Sequence, residues 1–359
     1  MRFSGKLPSH MNGFLFTNQL GGLFIRVLRH QTPTLMTQEF PSAETFLDAI
    51  DDVDELIAHI ETQNCTPGWI ARPQPLMWPH AKSRFVAVHW RYADIRPALV
   101  AAGRVIGTDL AERRNFVLRN PCPGNDFATT RTLVGAYQSI LPGEHARSHR
   151  HSSHALRIIL ESRGSYSVVN GRRHPMESGD IVLTPGGHWH GHGHDGTEQA
   201  FWFDCLDLPL VHLLEPMTAE DHPQHWEADA QDDPASSMRI SHESIQQQLA
   251  TAAEGDPWFG RTLDVSSATM RTITIKVHQW RAGWRNRPYR QHANQIYVVL
   301  NGSGSTEVED QRFDWSFGDV FVAPLATRVA HSVGTDALLV TLSDEGLMKF
   351  SCFYQLQDA

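Results

Sequence analysis

The stretch Glu161–Pro185, "ESRGSYSVVNGRRHPMESGDIVLTP", returns as Asn301–Pro324, "NGSGSTEVEDQRFDWSFGDVFVAP", with a single-residue gap. Gly164 matches Gly304, Gly179-Asp180 matches Gly318-Asp319, and Pro185 matches Pro324. A repeat of about a hundred residues means that one supersecondary unit is built twice. Its texture, from about Leu118 onward, is short β-type runs divided by Gly, Pro, Asn and Asp: "YQSIL", "ALRIIL", "SYSVV", "DIVLTP" and "AFWFDCLDL". Strands at this spacing predict a sandwich or barrel. The expected architecture is therefore mainly β, with two similar barrels in tandem. A chain of 359 residues predicts two domains or one domain with a long extension, and the repeat selects two.

The rest of the chain frames the repeat. "SAETFLDAIDDVDELIAHIE" spaces Phe46, Ile50, Val53, Ile57 and Ile60 by fours and threes, the stripe of an amphipathic helix with Ser42 as N-cap. "FLFTNQLGGLFIRVL" (Phe14–Leu28) imitates a signal peptide, but Thr17, Asn18 and Gln19 split its apolar core and no small-residue cleavage site follows. Met36 opens a more ordinary start, so the first 35 residues read as a docking arm or an upstream start. Between the repeats, "TAEDHPQHWEADAQDDPASS" reads as an acidic linker or surface loop, and "ESIQQQLATAA" as a helical patch.

Charge and cysteine use exclude whole classes of partner. A formal net charge of −9 argues against a nucleic-acid backbone, which needs a basic face. No apolar run approaches the roughly 20 residues that cross a bilayer. Cys65, Cys122, Cys205 and Cys352 form no CxxC pair and read as reduced, buried thiols of a cytoplasmic protein.

Nine of the 21 histidines fall between His145 and His194. In a strand, residues two apart share a face, so His149 and His151 point the same way, and Arg157 has the same parity. Ile158 and Leu160 point oppositely, as core filler. "GDIVLTPGGHWHGHGH" sets Gly179, Pro185 and Gly187 ahead of His190, so a third imidazole can approach from an adjacent strand. Three imidazoles on converging strands suit a transition metal.

G-x5-H-x-H followed by G-x5-P-x-G-x2-H resembles the two-part signature of the cupin superfamily. Its halves here are Gly143 to His149 and His151, then Gly179, Pro185, Gly187 and His190. The usual cupin glutamate is absent, and Arg157 stands in its place. With "WRYADIRPAL", "ERRNFVLRNP", "HRHSSHALR", "WHGHGHDG" and "WFDCLDLPL", the chain is similar to the gentisate, salicylate and 1-hydroxy-2-naphthoate ring-cleaving dioxygenases from Trp90 to its C-terminus.

That resemblance implies a bicupin of two double-stranded β-helix (jelly-roll) barrels. Residues 1–110 would form an N-terminal extension with its helix, and 111–215 a metal-binding barrel. Residues 216–265 would be the acidic linker and helical patch, and 266–359 a second barrel without metal ligands. It implies one Fe(2+) per chain on His149, His151 and His190, and a likeness to homotetramers. The implied reaction is O2-dependent cleavage of the C1–C2 bond of a small aromatic 2-hydroxy acid, with both oxygen atoms incorporated. Charge supplies a reason for the missing acid: three neutral imidazoles leave the ion's double positive charge intact, and a dianionic 2-hydroxybenzoate matches it.

By the same resemblance Arg157 and Arg113 take the substrate carboxylate, where a planar fork suits it. His192, two past His190, bonds substrate or oxygen and moves a proton. Gln138 and Asp204 touch the phenol or ring substituents. Val134 stands where an aromatic residue is common, which suggests a roomier pocket, and Cys205 where glycine is common; both departures weaken a transfer of exact specificity and favour a ring with a bulkier substituent. His154 reads as structural, and His145, His174, His188 and His194 as structural or surface groups. In the second barrel Tyr289, Gln291 and Val329 replace the three ligands. Gentisate is the first expected substrate, on family frequency; 5-nitro- or 5-aminosalicylate, salicylate and 1-hydroxy-2-naphthoate follow. A cupin that binds an aromatic acid without turning it over is the alternative from another class.

Overall fold

A computed structural model describes residues 50–70, 76–108, 110–111, 113–227, 230–233 and 235–359. Two compact units divide the chain, Met1–Leu76 and Met77–Ala359. In the first, helix α1 spans Val53–Thr62. Asp52 caps it, its carboxylate accepting from the backbone of Asp54 at 2.9 Å and Glu55 at 3.1 Å. This corrects the longer helix expected from Ser42, because Ile50 precedes the cap. Ser42 and Phe46 lie outside the described residues, as do residues 1–35.

The second unit contains the repeat twice, and each copy begins with strand, helix, strand. The first copy runs β1 (Val88–Trp90), α2 (Tyr92–Val105), β2 (Arg114–Val117), β3 (Val134–Ile140), β4 (His145–His151) and β5 (Ala155–Glu161). It continues with β6 (Ser165–Val169), β7 (Arg172–Met176), β8 (Ile181–Thr184), β9 (His190–His194), β10 (Ala200–Leu206) and α3 (Leu208–Leu214). The acidic segment then supplies β11 (Ala219–Asp221) and β12 (Gln231–Asp232). The second copy opens with β13 (Arg239–Ile240), α4 (His242–Thr251), β14 (Arg261–Asp264), β15 (Thr274–Trp280), β16 (Tyr289–Gln291) and β17 (Gln295–Asn301). It closes with β18 (Gly304–Val308), β19 (Gln311–Trp315), β20 (Val320–Ala323), β21 (Arg328–Val333), β22 (Ala337–Ser343), α5 (Glu345–Phe350) and β23 (Leu356–Asp358).

The first barrel's sheets have the orders β13-β8-β5-β10-β3-β2 and β11-β4-β9-β6-β7-β12; the second's are β1-β20-β17-β22-β15-β14 and β19-β18-β21-β16-β23. Two strands are thus exchanged. β1, which leads into the first barrel, pairs with β20 of the second, and β13, which leads into the second, pairs with β8 of the first. The repeated Gly-Asp explains how each exchanged segment is held. Asp319 accepts from the backbone of Tyr92 at the start of α2, and Asp180 from that of His242 at the start of α4, both at 2.8 Å. Gly179 sits at φ +89, and a Cβ there would lie 2.4 Å from the His242 ring. Glycine is therefore required at that turn.

Alternation sorts the side chains. Leu156, Ile158, Leu160, Phe201 and Phe203 pack with Ile275, Val277, Ile296, Val298 and Val340 in one core between the first barrel's β5–β10 sheet and the second barrel's β17–β22 sheet. Each such side chain contributes about 1.5–3 kcal/mol on burial. Ile140, Ile159, Met176, Val182, Ala200 and Trp202 fill part of the first barrel's interior. The second is filled by rings, among them Trp280, Tyr289, Tyr297, Trp315 and Phe321. The segment expected as a loop lies along barrel edges. β11 sets Ala219 opposite His151 and Asp221 opposite His149, because an open sheet edge offers unpaired backbone groups whatever the local composition.

Candidate metal centre

β4 and β9 bring three imidazoles together inside the first barrel. His149 lies opposite His190 in the ladder, after a bulge between Ala146 and His149 that re-aims the strand end. One ring nitrogen from each of His149, His151 and His190 lies within 4.8 Å of the others. Each ring turns its Nδ1 to a backbone carbonyl: Arg147 at 3.2 Å, Ser153 at 2.8 Å and His188 at 3.1 Å, respectively. Nδ1 therefore carries the proton, and Nε2 presents its lone pair, the tautomer a metal ligand needs. The free ring nitrogens are grouped closely enough that one transition-metal ion could be held by all three.

The facing sheet supplies the charges. Arg157 on β5 and Asp204 on β10 are cross-strand partners, each 1% exposed. Arg157 Nη1 donates to Thr184 Oγ1 at 2.6 Å. Burial lowers the guanidinium pKa to about 10, with Asp204 opposing the shift. Gln138 Nε2 donates to Asp204 Oδ2 at 2.8 Å, and Arg113 Nε to Gln138 Oε1 at 2.6 Å. Arginine, amide and acid thus form one chain along the barrel wall. Val134 is buried at the start of β3, on the face that Gln138 shares by alternation.

Arg157 Nε, His190 Nε2, both nitrogens of His192, Trp202 Nε1 and Asp204 Oδ1 are buried without a hydrogen-bond partner among the described residues. At about 1–3 kcal/mol for each unsatisfied atom, the set would cost a large share of a domain's stability. These donors and acceptors fit an ion and a polar ligand. In the second barrel the corresponding groups bond one another. Tyr289 and Tyr297 share a hydroxyl contact of 2.8 Å, and His331 Nδ1 meets Thr306 Oγ1 at 2.8 Å. Val329 packs among the rings there, and Gln291 is buried.

Residues 136–206 match the cupin domain family. A gentisate 1,2-dioxygenase of a Streptomyces species is 30% identical over 340 residues, covering 82% of this chain and 92% of that protein. The chain belongs to the gentisate 1,2-dioxygenase family. A 5-aminosalicylate 1,2-dioxygenase of a Comamonas species is 29% identical over 340 residues, 85% of this chain and 90% of the relative. The crystal structure of a salicylate 1,2-dioxygenase from Pseudoaminobacter salicylatoxidans, in adducts with gentisate, superposes with a TM-score of 0.76 at 22% identity. It covers 89% of this chain and 96% of that one, and shares its bicupin fold.

Within this gentisate 1,2-dioxygenase family scaffold, two expectations need correction. Cys205 is fully buried in the core between the barrels, on the face opposite Asp204, so it does not line the site. Of the four thiols only Cys122 and Cys205 are buried; Cys65 and Cys352 are exposed. Thr184, which holds Arg157, and Trp202, whose ring centre lies 5.7 Å from that of His192, were missed in the sequence. Trp202 shares β10 and parity with Asp204, which was the available signal; Thr184 lies on a different strand from Arg157, so parity does not link them. His194 is fully buried and His174 likewise, while His145 stays exposed beside Trp226. Among the described residues, no helix is long and apolar enough to cross a membrane.

Burial keeps the imidazoles neutral. It lowers His149 to about 4, helped by Arg113, and His278 and His331 of the second barrel to about 3. His190 and His192 are held well below the ordinary range, by burial first and then by Arg157. Unfolded, each returns to about 6.5. The unfolded chain then binds more protons, so this stabilisation is complete above about pH 6.5 and is lost as pH falls through 4 and 3. The steepest slope is about 1.4 kcal/mol per pH unit for each histidine. Urea titrations of metal-free protein at pH 7, 6 and 5 should show it, and His331→Gln should remove about one histidine's share. An unchanged slope in that variant contradicts the assignment.

Proposed function

We propose that the chain is an Fe(II)-dependent ring-cleaving dioxygenase that opens the C1–C2 bond of a 2-hydroxybenzoate, gentisate first. The observation that carries the reading is the triad of His149, His151 and His190 without a carboxylate, facing a buried Arg157. A ferrous ion held by the triad supplies the redox chemistry that joins dioxygen to the bound substrate. The protein's own part is to bind, orient and move protons. Arg157 and Arg113 offer guanidinium groups to the substrate carboxylate, in geometry that planar forks favour. The chain Arg113–Gln138–Asp204 fixes the wall against which the ring lies. His192, fully enclosed and neutral, is placed to take the phenol proton. Val134, small for its position, leaves room for a ring substituent, which supports 5-substituted salicylates as the second choice. The family resemblance extends the proposal to a cytoplasmic homotetramer with one ion per chain.

The test is oxygen uptake by protein loaded with Fe(II) under anaerobic conditions. The panel is gentisate, 5-aminosalicylate, 5-nitrosalicylate, salicylate and 1-hydroxy-2-naphthoate. Gentisate should give the highest kcat/KM, and both atoms of 18O2 should appear in the product. A larger value for another member reassigns the substrate within the class. Iron-loaded protein that binds the acids tightly yet consumes no oxygen is an aromatic-acid-binding cupin instead.

A further inference from the structure

His154, one strand residue away from the triad's parity, ties the turn between β8 and β9 to the second barrel. Its Nδ1 accepts from Gly186 N at 2.8 Å, so the ring is held in one tautomer with its proton on Nε2. Its own backbone N–H donates to Asp207 Oδ1 at 2.8 Å. Thr272, which precedes β15 of the second barrel, donates its hydroxyl to the other oxygen of the same carboxylate. Gly186 lies close against the chain before β5, where a Cβ would come 2.1 Å from Ser152 O, so only glycine fits at this contact. The next residue, Gly187, donates to His151 O at 2.8 Å. The bonded series Thr272–Asp207–His154–Gly186 therefore ends on the turn that has His151 at its flank and His190 just beyond it.

The second barrel carries the same device in the opposite direction. Asn294 N donates to Asp344 Oδ1 and Thr132 Oγ1 of the first copy to Asp344 Oδ2, each at 2.7 Å. Leu325 N donates to Asn294 Oδ1 at 3.2 Å, and Ala326 N to Gln291 O at 2.8 Å. Asn294 stands for His154, Asp344 for Asp207 and Thr132 for Thr272. Only in the first barrel does the brace end beside imidazole nitrogens that converge, and only there is its central side chain a histidine.

We propose that His154 is a positioning residue of the ion site, through which the second barrel, by Thr272 and Asp207, acts on His151 and His190. This rests on the reading of His149, His151 and His190 as ligands. A group bonded directly to a ligand sets its orientation, and losing one typically costs about 10–100-fold in metal affinity. His154 acts a step further out, through the backbone of Gly186 and Gly187, so its loss belongs at the lower end of that range. The second barrel is thus part of the site's support, although it offers no atom to the ion.

Cobalt(II), whose visible absorption reports coordination, is the probe, titrated into full-length protein in competition with a chelator. His154→Ala should weaken Co(II) binding about 10-fold, the lower end of the range for groups that orient a ligand. Thr272→Val, on the other barrel, should weaken it in the same direction, and His154→Asn, which copies the Asn294 arrangement, should recover most of the loss. Asn294→Ala breaks the twin brace and should lower the unfolding midpoint comparably, with Co(II) affinity unchanged. Should His154→Ala fail to fold, Thr272→Val carries the test. Wild-type affinity in both His154→Ala and Thr272→Val overturns the proposal, as does an equal loss in Asn294→Ala, which would mean general destabilisation. A wild-type protein that binds no Co(II) overturns the ligand reading itself, and this proposal with it.

Discussion

His151→Ala protein binds its ion more than about 100-fold more weakly than wild type and opens no ring. The magnitude follows by comparison: removing a group that merely orients a ligand costs about 10–100-fold, so removing the donor nitrogen costs more. Of the three imidazoles, His151 is also the one least open to replacement. Its Nδ1 is held by both the carbonyl and the hydroxyl of Ser153, at 2.8 and 2.9 Å. His154, the nearest spare imidazole in sequence, is committed to Gly186. The fold should survive, since His151 is only partly buried at the end of β4. Metal analysis and thermal melting of one preparation separate the two effects. A variant that melts like wild type, holds stoichiometric iron and still turns over would remove His151 from the ligand set.

The site was legible in the sequence wherever a period of two was sufficient. His149, His151 and Arg157 share parity, and the strands place them in one interior, with Ile158 and Leu160 sent to the core between the barrels. Cys205 was open to the same argument, since its neighbour Asp204 faces the site. What parity cannot supply is long-range pairing. β1 and β13 are only three and two residues long, carry no periodic signal, and pair with the barrel they do not lead into. For the same reason the Gly-Asp of the repeat reads as a turn signal, whereas Asp180 and Asp319 also cap helices from the other copy. β11 is Ala-Glu-Asp, with no β-former, yet it forms because β4 leaves an edge beside it. Tertiary context, not propensity, sets these elements.

Arg157→Ala should retain its metal and bind substrate about 1.5–3 kcal/mol more weakly, the cost of one charge-assisted bond. That energy corresponds to a KM about 10- to 150-fold higher. A second effect accompanies it and must be separated. Arg157 lies directly opposite Asp204, and both are sealed from solvent. Removing the cation takes a coulombic partner from a buried carboxylate that keeps its bond from Gln138, so the loss is smaller than the roughly 3–5 kcal/mol of a broken contact pair. Asp204→Asn should therefore restore stability in the Arg157→Ala background while leaving KM high, because the amide has no charge to compensate but offers nothing to a carboxylate substrate. Arg157→Lys tests the remaining point: it returns the charge without the planar fork, so stability should recover further than KM. If stability and KM instead move together through all three variants, Arg157 acts by holding Asp204 alone. If Arg157→Ala cannot hold iron, its place is in the support of the triad, and the carboxylate must be met by Arg113.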